Sequence, residues 1–171
     1  MSPSNMAQSV RDRLLRRMRE TGANYQALLT RYALERFLYR ISVSKFADAL
    51  VLKGAYTFLV WQGEPHRPTK DIEFLGYGAP EQLGDTFRHI CGVDVEDDGA
   101  LFDAESVRVE EIRGQATYEG MRIQLTASID TARLPLQIDV GFGDAITPEA
   151  QTAAFPTLLG DVAAPNVKTY P

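Results

Sequence analysis

Lys70-Asp71-Ile72-Glu73-Phe74-Leu75 alternates charged with apolar residues, and a period of two is the mark of a β-strand whose two faces differ. Asp71, Glu73 and Leu75 go to one side, Ile72 and Phe74 to the other, so one face belongs to a core and the other is open. Two acids on the same face, one residue apart, repel each other unless a cation lies between them. A hard divalent ion such as Mg²⁺ or Mn²⁺ meets that need, because it prefers carboxylate oxygens and leaves its remaining positions to water or phosphate. By spacing alone, surface charges or salt bridges account for an Asp-x-Glu pair more often than a metal site does.

Upstream, Ala49-Leu-Val-Leu52 reads as a buried strand ending at Lys53-Gly54, where glycine permits a sharp turn. Tyr56 to Trp61 continues as a helix too short to stand alone, and Gly63, Pro65 and Pro68 make a loop back to the acid pair. Downstream, Pro80 to Ile90 predicts a helix that opens on proline and closes near Gly92. Alternating runs at Val107 to Ile112, Met121 to Ile129 and Leu134 to Val140, separated by turn residues, predict an antiparallel meander. Within Leu136-Gln-Ile-Asp-Val140, Asp139 interrupts an apolar run. Such a carboxylate is costly unless it is paired or bound to metal. If its strand neighbours that of Asp71 and Glu73, three acids share one face.

Before the first strand, Met6, Val10, Leu14, Leu15 and Met18 recur at helical spacing over Asn5 to Glu20, and a second such pattern covers Asn24 to Arg40 after Gly22. The two predict an N-terminal helical layer over about 5–40. From Phe142 onward the sequence is rich in Ala, Pro and Gly and predicts no long helix. With 171 residues, 44% of them hydrophobic, one domain spanning 1–171 is expected.

A single cysteine, Cys91, gives neither a disulfide framework nor a cysteine cage, and His66 and His89 lack zinc-site spacing, so both read as surface residues. Neither a secretory signal nor a membrane-length apolar run is visible, and a cytoplasmic protein without membrane contact is expected. The net charge of −5 opposes wholesale coating of nucleic acid. Arg11, Arg13, Arg16, Arg17 and Arg19 nevertheless crowd the first helix, opposed by Asp94, Glu96, Asp97 and Asp98 further on. Both runs read first as solvated faces, with a local RNA-facing surface as the alternative.

Three stretches together, Val51-Leu-Lys-Gly-Ala-Tyr-Thr57, Arg67-Pro-Thr-Lys-Asp-Ile-Glu-Phe-Leu-Gly76 and Leu136-Gln-Ile-Asp-Val-Gly-Phe-Gly-Asp144, resemble the AbiEii/AbiGii-type nucleotidyltransferase toxins of the DNA polymerase β-like superfamily. The resemblance implies an α+β fold, a mixed sheet with an antiparallel meander flanked by helices. It also implies transfer of a nucleoside monophosphate from a nucleoside triphosphate to an acceptor, an RNA such as a tRNA end, in a toxin–antitoxin or abortive-infection system with a cognate antitoxin. By the same resemblance Asp71, Glu73 and Asp139 are the catalytic and metal-binding acids, with Asp139 also the base for the acceptor hydroxyl. Lys53 and Gly54 match the phosphate-side turn, Thr57 supplies its hydroxyl, and Arg67, Thr69 and Lys70 border the triphosphate.

The sequence departs from the family pattern in Tyr56, which follows Ala55 where a hydroxyl residue is usual, and in Glu73, where Asp is commoner. Asn166 to Pro171 reads as the lead-in to a C-terminal helical region of the family that this chain lacks. A catalytically degenerate relative that binds nucleotide or a partner is the alternative reading. A metal-dependent nuclease fits less well, since Leu75 stands where its lysine would be.

Overall fold

The computed structural model describes residues 3–62, 71–114, 118–142 and 149–170. Helix α1 (Pro3–Thr21) ends where Gly22, at φ +75°, donates its N–H to the Met18 carbonyl at 2.8 Å. Only a residue without Cβ adopts that left-handed turn at little cost, so the apolar repeat stops there. Helix α2 (Tyr25–Ser42) starts at Asn24, whose side-chain oxygen accepts from the Ala27 N–H at 3.0 Å.

The helices are followed by β1 (Leu50–Lys53), a 3₁₀ turn (Gly54–Tyr56), α3 (Thr57–Gln62) and β2 (Asp71–Gly76). A second 3₁₀ turn (Pro80–Gln82) leads into α4 (Leu83–Cys91). The three long strands β3 (Ala100–Arg113), β4 (Tyr118–Ile129) and β5 (Ala132–Phe142) form the expected antiparallel meander. The strand order is β3-β4-β5-β2-β1, extended by β7 (Asn166–Thr169) and β6 (Gln151–Ala154). The sheet is mixed: β2 runs parallel to β5 and antiparallel to β1. Within the segment read as the approach to a helical region, Asn166–Thr169 forms β7, parallel to β1. Its short Val167-Lys-Thr169 alternation was too brief to register as a strand signal.

The apolar side of the sheet, including Leu52, Ile72, Phe74, Ile138 and Val140, joins one cluster with Leu34, Phe37 and Leu38 of α2 and Phe87 and Ile90 of α4. The N-terminal layer differs from expectation in depth. Every residue from Tyr32 to Leu38 is buried, so α2 is an inner helix rather than one with a single apolar face. Its charged residues Glu35, Arg36 and Arg40 are consequently buried as well. Arg40 donates to both oxygens of Asp98, at 2.8 and 3.1 Å, and to the Ala100 carbonyl, while Arg36 donates to Glu35 at 2.9 Å and to the Ala163 carbonyl at 2.6 Å. Glu35 in turn accepts from the Leu158 N–H at 2.7 Å.

These contacts take Asp98 out of the acidic run read as solvated, while Asp94, Glu96 and Asp97 of that run and Arg16, Arg17 and Arg19 of the basic run are exposed as expected. Asp98 is only 4% exposed. On α1, Arg11 pairs with Asp130 at 2.8 Å and Arg13 with Asp161 at 2.6 Å, clamping the helix to the β4–β5 turn and to the segment before β7. These α1 pairs are partly exposed, and solvent screening leaves each of them a weak contact. Replacing Arg11 by alanine is expected to leave the urea-denaturation midpoint close to that of the unsubstituted chain. His89 is exposed, with its ring edge-on to Phe46, while His66 lies outside the described residues. No helix among the described residues is long and apolar enough to cross a membrane.

Candidate active site

Strand register brings the predicted acids together. In the parallel β2–β5 pair Asp71 stands beside Gln137 and Glu73 beside Asp139, and partners in register project to the same face. Ile72 and Ile138 between them are buried, whereas Glu73 is exposed and Asp71 and Asp139 are half-buried. The rung continues outward in both directions. Lys53 on β1 is in register with Glu73, Arg122 on β4 with Asp139, and Glu110 on β3 with Arg122. Lys53, Glu73, Asp139, Arg122 and Glu110 thus form one charged row across five strands.

Gly54 follows Lys53 at φ +78°, and a Cβ built on it would fall on the Oε2 atom of Glu73 and 2.9 Å from its Cδ. The turn therefore needs glycine twice, once for its backbone and once to leave room for a carboxylate. Thr57 donates its hydroxyl to the Gly54 carbonyl at 2.6 Å and so closes the same turn. Tyr56, the departure from the family pattern, is 4% exposed, its ring 6.1 Å from that of Phe155. Burial pushes its hydroxyl pKa up to about 12. It serves the core and leaves the open side of the turn to Gly54 and Ala55. Gly54→Ala is expected to lower stability by about 1–2 kcal/mol, the cost of a left-handed non-glycine residue. It also displaces Glu73, so activity should fall further than stability; thermal melts beside turnover assays measure both.

Arg122 was not anticipated. Its Nε donates to Asp139 Oδ1 at 3.0 Å and an outer nitrogen to Oδ2 at 3.2 Å, a two-point grip. These hydrogen bonds hold the Arg122 guanidinium above its ordinary pKa. The cost of an acid in an apolar strand is thereby met by pairing. Gln137 donates to Asp71 at 3.2 Å, and Gln124 to Gln137 at 3.5 Å. Alternation in the Met121–Ile129 stretch foretold a strand, but the partner opposite Arg122 depends on a register that spacing does not specify. Arg67, Thr69 and Lys70, expected around the triphosphate, and Asp144 lie outside the described residues.

The donor set suits a hard cation in kind, three carboxylates on one face with Glu73 against the glycine turn. Their oxygens are not drawn into one cage. Among the described residues no three Asp, Glu, His or Cys side chains group closely enough to hold a metal ion. Arg122 takes both oxygens of Asp139, and Gln137 donates to one oxygen of Asp71. Asp71 and Glu73 still meet what Mg²⁺ asks of a protein, since one or two carboxylates and substrate phosphates commonly suffice. Beside Asp71 opens a cleft of about 610 Å³, lined in part by Asn24, Gln26, Thr30, Gln124 and Gln137. Among the described residues this amide-rich lining carries no cation and suits a base or ribose.

Residues 36–171 match the family model described as "Nucleotidyl transferase AbiEii toxin, Type IV TA system". No curated protein matches the sequence. Among solved structures the fold is similar to that of JHP933 from Helicobacter pylori, at TM-score 0.52 and 12% identity, over 86% of this chain and 53% of that one. It is also similar to a candidate nucleotidyltransferase from H. pylori, at TM-score 0.51 and 14% identity, over 87% of this chain and 55% of that one. The chain thus spans about half the length of the solved structures it matches.

Proposed function

The chain belongs to the AbiEii nucleotidyltransferase toxin family, and we propose that it transfers a nucleoside monophosphate from a nucleoside triphosphate to an RNA acceptor, as the toxin partner of a cognate antitoxin. The observation that carries this reading is the parallel register of β2 and β5, which sets Asp139 beside Glu73 on the open face next to the Gly54 turn. Asp71 and Glu73, with Asp139, would hold a divalent ion. Such an ion neutralises charge on the triphosphate and on the departing pyrophosphate. Gly54 lets backbone approach the phosphates, and Lys53 at the end of β1 flanks them. Arg67, Thr69 and Lys70 border the triphosphate in this scheme. Asp139 accepts the proton of the attacking hydroxyl, and the amide-lined cleft takes the terminal base or ribose of the acceptor.

The test is incorporation of labelled nucleotide into RNA by the purified chain with Mg²⁺, alongside growth on induction. Incorporation that survives Asp71→Ala and Glu73→Ala, or growth inhibition that persists unchanged in them, would overturn the assignment of the site. A second reading, a degenerate relative that binds nucleotide without transfer, is favoured by one observation: Asp139 is committed to Arg122. Calorimetry separates the two when paired with the incorporation assay. Mg²⁺-dependent triphosphate binding accords with both, and incorporation only with the first.

A further inference from the structure

Arg122 has no part in the scheme above, yet it stands between two carboxylates. Asp139 faces it from β5 and Glu110 from β3, both directly in register. Cross-strand partners on one face have Cβ atoms roughly 5 Å apart, so a long arginine side chain on the middle strand reaches either one. It now grips Asp139 at both oxygens, while Glu110 is exposed. A guanidinium so placed and a divalent cation compete for the same lone pairs, and their like charges disfavour sharing them. The pair is also half-open, with 35% of the Arg122 side chain and 21% of that of Asp139 exposed. Solvent screening makes such a grip weak and reversible.

We propose that Arg122 is the resident counter-cation of Asp139 and a positioning residue for the metal site. It yields Asp139 to an incoming divalent ion by swinging across β4 to Glu110, and thereby sets how tightly the site binds that ion. This rests on the assignment of Asp71, Glu73 and Asp139 as metal-binding acids. Before metal arrives, the arginine offsets the repulsion among three neighbouring acids. After it leaves, Asp139 has both oxygens free for the ion and for the acceptor proton.

Titrating the purified chain with Mn²⁺ alone, by calorimetry or by loss of the free-ion paramagnetic resonance signal, tests this without any turnover. Arg122→Gln, which removes the competing charge, is expected to bind Mn²⁺ roughly five-fold more tightly, while Arg122→Lys, which keeps the charge, stays near the wild-type affinity. Glu110→Gln removes the alternative resting place and should weaken Mn²⁺ binding about two-fold. In an Asp139→Asn background the Arg122→Gln gain should vanish. Unchanged or weaker binding in Arg122→Gln overturns the competition, and unchanged binding in Glu110→Gln overturns the exchange route. Absence of Mn²⁺ binding in every chain removes the metal assignment along with this proposal. A five-fold gain in a chain that never transfers nucleotide supports the exchange while the transferase reading falls.

Discussion

Asp71→Asn is expected to reduce nucleotidyl transfer at least about a thousandfold, equivalent to ~4 kcal/mol of transition-state stabilisation, while leaving the folded chain as stable as before. The substitution keeps the shape of the side chain and removes half of the charge that β2 offers a divalent ion. Glu73→Gln should behave alike. The double variant should lose little more than either alone, because the two carboxylates act as a unit on one ion. Stability moves the other way, if at all. Asp71, Glu73 and Asp139 crowd one face, and neutralising one of them relieves repulsion. A melting temperature that holds or rises slightly while transfer collapses identifies residues kept for chemistry. Transfer within ten-fold of wild type would rule out the pair as the metal site.

Arg40→Met is expected to cost about 3–5 kcal/mol of folding stability, the usual penalty for removing one partner of a buried ion pair. Arg40 is 5% exposed and Asp98 4%, and the arginine also donates to the carbonyls of Arg36 and Ala100 and sits 4.7 Å above the Phe102 ring. Methionine restores packing volume but leaves the Asp98 carboxylate without its two-point partner. For a chain of this size the melting temperature should fall by roughly 10 °C. Adding Asp98→Leu should recover part of the loss, since an apolar replacement of the whole pair removes the stranded charge. Urea denaturation of the single and double variants provides the numbers. A single-variant cost under about 1 kcal/mol would show that water or Arg36 compensates.

The two experiments probe different sides of the sheet. The first acts on the open face, where charge is held against repulsion for the sake of a cation. The second acts on the covered side, where α2 carries its own charges into the core and ties the segment before β3 to the helix. The Glu35–Arg36 pair extends that tie to the segment before β7, through the Leu158 N–H and the Ala163 carbonyl. That segment leads into the strand beside β1, the strand that ends at the glycine turn.

Much of this was legible in the residues. Alternation around Asp71 and Glu73 identified β2 and its open face, because side-chain direction in a strand follows from a period of two. The same rule found the three long strands of the meander, and Lys53-Gly54 marked the turn because few other dipeptides bend there cheaply. The place of Tyr56 was not legible from the motif it departs from, because only the fold shows its ring buried near Phe155. The burial of Glu35, Arg36 and Arg40 was hidden for a related reason. A charged residue on a helix is normally solvated, and only partners distant in the chain, Asp98 and the 158–163 segment, make its burial tolerable.

Local order, then, came from the chain itself: which residues are strands, which face is apolar, and where acids share a side are consequences of backbone geometry acting over a few residues. Tertiary structure alone decided who stands next to whom. That β2 lies beside β5 with Glu73 opposite Asp139, and that Arg122 then grips this same acid, depends on registers between segments far apart in sequence. A shift of one residue in either pairing would turn an entire face over, and the packing of the shared core on the other side is what prevents it.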